Sequence, residues 1–279
     1  MKKYIRVVIN FSLDNYDFVY NTLYLYGIST ILEEDNHLEF YTEDKNLAEA
    51  ISKELHESNL INDNDITISE SDETNWHDKW KDSIEPVIVN ERLIIFPSWK
   101  SHTLPDKNYL KIQIDPKMSF GTGHNETTQL ILELMCEKIT SDDKFMLDFG
   151  CGSGILSIAA ARLGVSKIIA IDTDEDAIDN SKENFFINNV QDCISLYKKD
   201  IDEITESGFD IICANISSSV IISKIETIHN KLKDRGKLLI SGILNEETET
   251  MKGLLNNNNF RILENPFKGE WTAFYCEKQ

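Results

Sequence analysis

Apolar and polar residues alternate strictly at the start of the chain. Tyr4, Arg6, Val8 and Asn10 oppose Ile5, Val7, Ile9 and Phe11, and a period of two predicts a strand. From Asp14 to Tyr26 the period changes. Phe18, Val19, Leu23 and Leu25 recur near helical spacing, and Gly27 stops the run. Ile28–Leu32 and Leu38–Tyr41 read as a pair of strands around Asp35-Asn36. Leu47, Ile51 and Leu55 mark a second helix, and Ile66–Ile68 a last strand. The order β-α-β-β-α-β is the ferredoxin-like arrangement. A small α+β domain over residues 1–70 is therefore expected, of a kind that hosts many functions.

Residues 71–105 read as a charged connection. Trp76 and Trp80, four apart, would share one helix face, and a packed aromatic pair explains them better than a ligand platform. Ile84–Val89 and Leu93–Phe96 look like a hairpin turning at Asn90-Glu91. From residue 106 to residue 279 strand and helix patterns alternate. Strands are expected at Phe145–Phe149, Lys167–Ile171, Ile194–Tyr197, Asp210–Ala214 and Lys237–Ser241, with helices between them. That alternation predicts a parallel sheet covered on both faces. Phe260–Leu263 and Thr272–Cys276 could add strands at its edge, and Asn256–Asn259 reads as a loop.

Composition narrows the classes. The 279 residues allow one large domain or two unequal ones, and a hydrophobic fraction of 41% supports a buried core. No apolar run reaches the roughly 18 residues of a membrane span. The five cysteines, Cys136, Cys151, Cys193, Cys213 and Cys276, are scattered and include no C-x-x-C. This disfavours a disulfide framework or zinc site and fits a reducing cytoplasm. Against 48 acidic residues stand 28 Lys and Arg, a formal charge of −20. Such a surface repels phosphate backbones and attracts basic proteins, although it also serves solubility alone.

Four blocks carry chemistry. In the first, Asp148-Phe149-Gly150-Cys151-Gly152-Ser153-Gly154 follows an apolar strand and opens an apolar helix. Glycines there permit a tight turn and a close approach of backbone to ligand. A dinucleotide loop needs G-x-G-x-x-G/A, but counting from Gly150 or Gly152 reaches Ile155 or Ser157. Nicotinamide and flavin cofactors are therefore disfavoured. Asp-x-Gly-x-Gly-x-Gly instead opens Rossmann-like methyltransferases. In the second, Asp172 ends the next strand about 20 residues on, where an acid receives ribose hydroxyls; it could also cap a helix, but Asp174 fits that task. Asp200, after the third strand, is a weaker candidate for the adenine amino group. In the third, Asn215 ends the fourth strand within Ala214-Asn215-Ile216, and either turns the chain or offers its amide oxygen to an attacking amine. In the fourth, the Asp115–Thr128 stretch holds Phe120, Gly121, Thr122 and Gly123, then His124-Asn125-Glu126-Thr127-Thr128 before an apolar helix. Such a loop can close over a ligand, and it also suits an N-cap.

These blocks, in this order, resemble the bacterial ribosomal protein methyltransferases called PrmA, which act on the eleventh protein of the large ribosomal subunit. The resemblance runs nearly the whole chain and includes Trp76, Trp80, Glu91-Arg92-Leu93, Pro97-Ser98-Trp99, Ser241-Gly242-Ile243-Leu244 and Trp271. It implies an α/β, Rossmann-like class I methyltransferase domain behind a small ferredoxin-like domain that recognises the substrate. It implies S-adenosyl-L-methionine as cofactor, bound at Thr128, Gly150, Gly152, Asp172, Asn215 and the loop residues Phe120, Gly121 and Thr122, with Asn215 also catalytic. No metal is needed for direct methyl transfer to an amine. The partner implied is the ribosomal protein, free of the ribosome, and the enzyme is expected to be a cytoplasmic monomer that binds neither membrane nor nucleic acid. One position departs: the family usually has His where this chain has Asn125, and His124 stands beside it. A lysine methyltransferase of another protein, a nucleic-acid amino-methyltransferase and a non-catalytic adenosyl-binding protein remain as alternatives.

Overall fold

The alternating first segment is a strand whose odd positions enter a core. The computed structural model describes residues 3–11, 15–26, 28, 31–34, 37–42, 44–58, 60–62, 65–72, 84–105, 107–115 and 123–279. The expected roles of Gly27, Asp35-Asn36, Trp76, Trp80, Phe120, Gly121 and Thr122 lie outside these residues. Contacts divide the chain into two compact units, Met1–Ile84 and Glu85–Gln279.

In the first unit β1 (Lys3–Asn10) lies between β3 (His37–Thr42) and β4 (Ile66–Asp72), antiparallel to both, and β2 (Leu32–Glu34) pairs with β3. The order β2-β3-β1-β4, with helices α1 (Tyr16–Leu25) and α2 (Lys45–Glu57), is the ferredoxin-like one. Val7, Ile9, Val19, Leu23, Leu38, Phe40, Ile51 and Leu55 are all fully buried in one core. Two boundaries differ from the pattern-based reading. Ile28 joins no strand; its amide closes the end of α1 on the Leu23 carbonyl at 3.0 Å. β4 continues past Ile68 to Asp72, because backbone pairing with Lys3–Val7 persists where the side chains have turned polar.

The second unit begins with β5 (Val87–Val89), β6 (Leu93–Phe96) and β7 (Leu110–Gln113), a three-stranded sheet of its own. The β5–β6 hairpin, expected in the connection, thus belongs to this unit, and Asn90 and Glu91 take the left-handed φ values of 45° and 50° at its turn. The parallel strand β7 had no visible signal, since four residues are too few to show a period.

The main sheet holds β8 (Phe145–Phe149), β9 (Lys167–Asp172), β10 (Ile194–Lys198), β11 (Phe209–Asn215), β12 (Leu232–Leu244), β13 (Phe260–Glu264), β14 (Phe267–Lys268) and β15 (Trp271–Lys278). Its order is β10-β9-β8-β11-β12-β15-β13, with β14 on β15. The first five are parallel, and β15 is antiparallel to both neighbours, so the sheet is mixed. Alternation along each strand fills two cores. Met146, Ile168, Ile211 and Leu239 point to one face, against Ile131 of α3 (Glu126–Lys138), Ile158 of α4 (Ile155–Arg162) and Phe185 of α5 (Glu175–Ile187). Leu147, Ile169, Ile212 and Leu238 point to the other, against Ile225 of α6 (Ser218–Lys231) and Met251 of α7 (Thr248–Asn257). Each buried aliphatic side chain contributes about 1.5–3 kcal/mol. No helix among the described residues is long and apolar enough to cross a membrane.

The chain leaves β8 towards β9 and β10, then returns to β11 on the opposite side of β8. Such a reversal opens a crevice at the carboxyl ends of the two central strands. Beside it, Gly242 near the end of β12 packs against the backbone of Ile216, just past β11. Its φ is +83°, and a Cβ there would lie 2.3 Å from the Ile216 carbonyl oxygen. Gly253, in α7, has open space around it. Gly242→Ala should cost about 1–3 kcal/mol and lower the melting temperature by several degrees. Gly253→Ala should leave it unchanged or raise it, since Ala is favoured over Gly in a helix by about 1 kcal/mol. Thermal circular dichroism distinguishes the two, and equal melting of both variants would refute the close approach.

Candidate active site

Each glycine of the 150–154 loop has a backbone conformation that L side chains avoid. Gly150, Gly152 and Gly154 have φ values of 76°, 54° and 79°. A Cβ on Gly150 would lie 2.3 Å from Ile216 Cγ2, and one on Gly154 would lie 2.3 Å from Phe185 Cε1. The loop can therefore curl only as glycine. The amides of Gly150 and Cys151 both donate to the Ile171 carbonyl at 2.9 Å, and Asn184 Nδ2 donates to the Ser153 carbonyl at 2.9 Å.

Two carboxylates bracket this loop. Asp148 is wholly buried, and its Oδ2 accepts from the Ser157 amide at 3.0 Å and hydroxyl at 2.6 Å. Its Oδ1 has no partner among the described residues. Burial pushes its pKa up to about 7, against the Ser157 bonds and with a smaller push from Asp172. Asp172 is half-buried. Its Oδ2 accepts from the Gly152 amide at 2.9 Å and its Oδ1 from the Asp174 amide at 3.1 Å. Asp174 caps α5, accepting from the Asp176 amide at 3.1 Å, so Asp172 is not the cap.

At the end of β11, Asn215 Nδ2 donates to Thr128 Oγ1 at 3.1 Å. Thr128 is fully buried in the first turn of α3. Asn215 Oδ1 is buried and has no partner among the described residues. A buried amide oxygen left unpaired costs free energy, which a ligand donor would recover.

A cavity of about 330 Å³ opens here, bordered by Thr128, Gly150, Gly152, Asp172 and Asn215. Five of the expected cofactor residues thus meet in one place, of a size suited to a small molecule. Lys199 and Asp200 border it too, although Asp200 also caps the turn at Ile201–Glu203 and pairs with Lys224 at 2.9 Å. A second cavity, of about 690 Å³, is bordered by His124, Asn125, Glu126, Thr127, Ser217, Gly242 and Trp271. Asn215 and Ile216 border both cavities.

Comparison with known proteins gives the family. The family model "Ribosomal protein L11 methyltransferase (PrmA)" matches residues 7–279. The chain belongs to the PrmA family. A ribosomal protein L11 methyltransferase of Thermoanaerobacter pseudethanolicus is 34% identical over 215 residues, covering 77% of this chain and 68% of that protein. One from Staphylococcus haemolyticus is 35% identical over 222 residues, covering 80% and 70%. The crystal structure of a ribosomal protein L11 methylase from Lactobacillus delbrueckii subsp. bulgaricus superposes with a TM-score of 0.65 at 27% identity, covering 70% of this chain and all of that one. Like other PrmA proteins, the chain is an S-adenosylmethionine-dependent methyltransferase.

Asn125, read from the sequence as a departure from the family pattern, is the residue before the first turn of α3 and makes no side-chain capping bond. The neighbouring His124 is engaged elsewhere, with Nε2 3.0 Å from the Glu85 carbonyl. Sequence reasoning did not assign the packing of Ile216 against Gly150 and Gly242. Gly242, near the end of β12, carries no local sign of that contact.

Asp148 supplies a pH test. Its folded pKa of about 7 lies above the ordinary carboxylate value, so the folded state holds its proton more tightly than the unfolded chain. The stability this confers is complete below about pH 4 and is lost as pH rises to about 7. Asp148→Asn cannot titrate. Its melting temperature should gain on that of the wild type between about pH 4 and 7 and level off above, and a pH-independent difference would rule out the buried proton.

Proposed function

We propose that the chain transfers methyl groups from S-adenosylmethionine to amino groups of ribosomal protein L11, with residues 1–70 recognising that protein. The observation that carries this reading is the wall of Asn215 and Ile216 between the two cavities, with the Asn215 amide oxygen unpaired. Direct displacement needs donor and acceptor in line and about 3–3.5 Å apart, and two cavities that adjoin at these residues bring them together there.

The smaller cavity fits the cofactor. The positive-φ loop at 150–154 leaves room for an approaching ligand, and the amino end of α4 favours a carboxylate. Asp172 uses one lone pair on each oxygen for an amide, which leaves further acceptor positions for two ribose hydroxyls. When bound, S-adenosylmethionine supplies a methyl group on a positively charged sulfur, open to in-line attack by an amine.

The larger cavity takes the acceptor. Asn215 Oδ1 accepts an N–H of the amine and so aims the nitrogen lone pair across the wall. Thr128 holds the Asn215 amide in that orientation through its hydroxyl. The attacking amine must be neutral. An α-amino group, with a pKa of about 7.7–8.0, is partly so at neutral pH, whereas a lysine near 10.4 must lose its proton on desolvation. The proton passes to solvent. The net charge of −20 attracts a basic ribosomal protein and repels ribosomal RNA, which supports free L11 in the cytoplasm as the acceptor and a monomeric enzyme as its partner. All residues bordering the cofactor cavity lie beyond residue 127, which leaves the first unit free for recognition.

One assay tests these assignments. Labelled methyl should enter purified L11 with the full chain. In single turnovers at saturating cofactor, Asn215→Ala should slow transfer by roughly 10²-fold or more, beyond any loss of cofactor affinity. A chain starting at Glu85 should bind cofactor but methylate L11 poorly. A rate restored at saturation would make Asn215 a cofactor ligand only, and full activity without residues 1–84 would remove the recognition role.

A further inference from the structure

Resting on this reading, we propose that Glu126 draws the acceptor into the larger cavity by pairing its carboxylate with the protonated amine. Glu126 is the first residue of α3 and borders that cavity beside Thr127 and Asn215. Its carboxylate is packed over Gly269, in the turn between β14 and β15. A Cβ on Gly269 would lie 2.3 Å from Oε1 and 2.5 Å from Oε2, so the turn yields its side-chain space to this carboxylate. Gly269 also has a φ of +56°.

The neighbouring polar atoms point to the same ligand. Thr127 is 4% exposed, and its Oγ1 has no hydrogen-bond partner among the described residues. Asn215 Oδ1 is in the same condition. Glu126, Thr127 and Asn215 all border one cavity, and each carries an oxygen able to accept. An ammonium group is their complement, with three donors and no acceptor. Ile216 and Trp271 supply apolar border for the aliphatic stem of a lysine. An acid in the first turn also favours a helix dipole, but that role does not require a cavity or the yielding of Gly269. Glu126 therefore selects for a basic acceptor and acts before the amine loses its proton. Asn215 then orients the neutral nitrogen.

The test uses the full chain loaded with S-adenosylhomocysteine and two probes. Saturation-transfer NMR with n-butylammonium chloride should show binding to the wild type and binding roughly tenfold weaker to Glu126→Gln. Glu126→Asp should recover much of it. With L11 as acceptor, Glu126→Gln should raise KM by roughly tenfold and lower kcat by less than about twofold, leaving cofactor affinity intact. If Glu126→Gln binds n-butylammonium as the wild type does, the proposal is overturned. It is also overturned if Glu126→Asp and Glu126→Gln lose binding only in step with a falling melting temperature. If the wild type leaves L11 unmodified while Glu126→Gln still loses n-butylammonium, the ribosomal substrate is wrong and the role of Glu126 stands.

Discussion

Ile216 is held in a notch between two glycines, and the site is arranged around that contact. Gly150 follows β8, and Gly242 lies near the end of β12. A Cβ on either would come within 2.3 Å of Ile216. The carboxyl ends of β8, β11 and β12 can therefore close together only with hydrogen at both positions. This seats Asn215 on the boundary of two cavities. The bond from Asn215 to Thr128 then ties the same boundary to the first turn of α3. A methyl-transfer site needs such a fixed junction, because donor and acceptor must meet in line and in contact.

Environment separates the two acids near the glycine loop into different tasks. Asp148 is buried, makes two bonds to Ser157 and has its pKa raised to about 7 by desolvation, so it pins the start of α4. Asp172 is partly exposed at the cavity and holds the loop through the Gly152 amide. The residue in contact with solvent is the one able to exchange its remaining acceptor positions with a ligand. Divergent environments of neighbouring carboxylates are a general route to divergent roles.

The features legible in the sequence were those written in local pattern. The glycine loop, Asp172 and Asn215 each follow an apolar strand, and strand ends in a parallel sheet share one rim. Asp174 declared itself as the cap through its spacing before α5. The parts that escaped are contacts between distant segments. Nothing near Gly242 announces that Ile216 will rest on it, and nothing near Gly269 announces Glu126. β7 is too short for a period, and β4 outlasts its apolar residues because backbone pairing ignores side-chain polarity. The three expected loop residues Phe120, Gly121 and Thr122 lie outside the described structure.

The central claim is that Gly150–Gly154, Asp172 and Asn215 form one binding site for the cofactor. Calorimetric titration of the intact protein with S-adenosylmethionine, in the presence of a chelator, addresses it most directly. The account predicts saturable binding that the chelator does not alter. It predicts affinity at least about tenfold weaker in Asp172→Ala, since each lost charge-assisted hydrogen bond is worth about 1.5–3 kcal/mol. Equal affinities in the two proteins, or binding that disappears with the chelator, would contradict it.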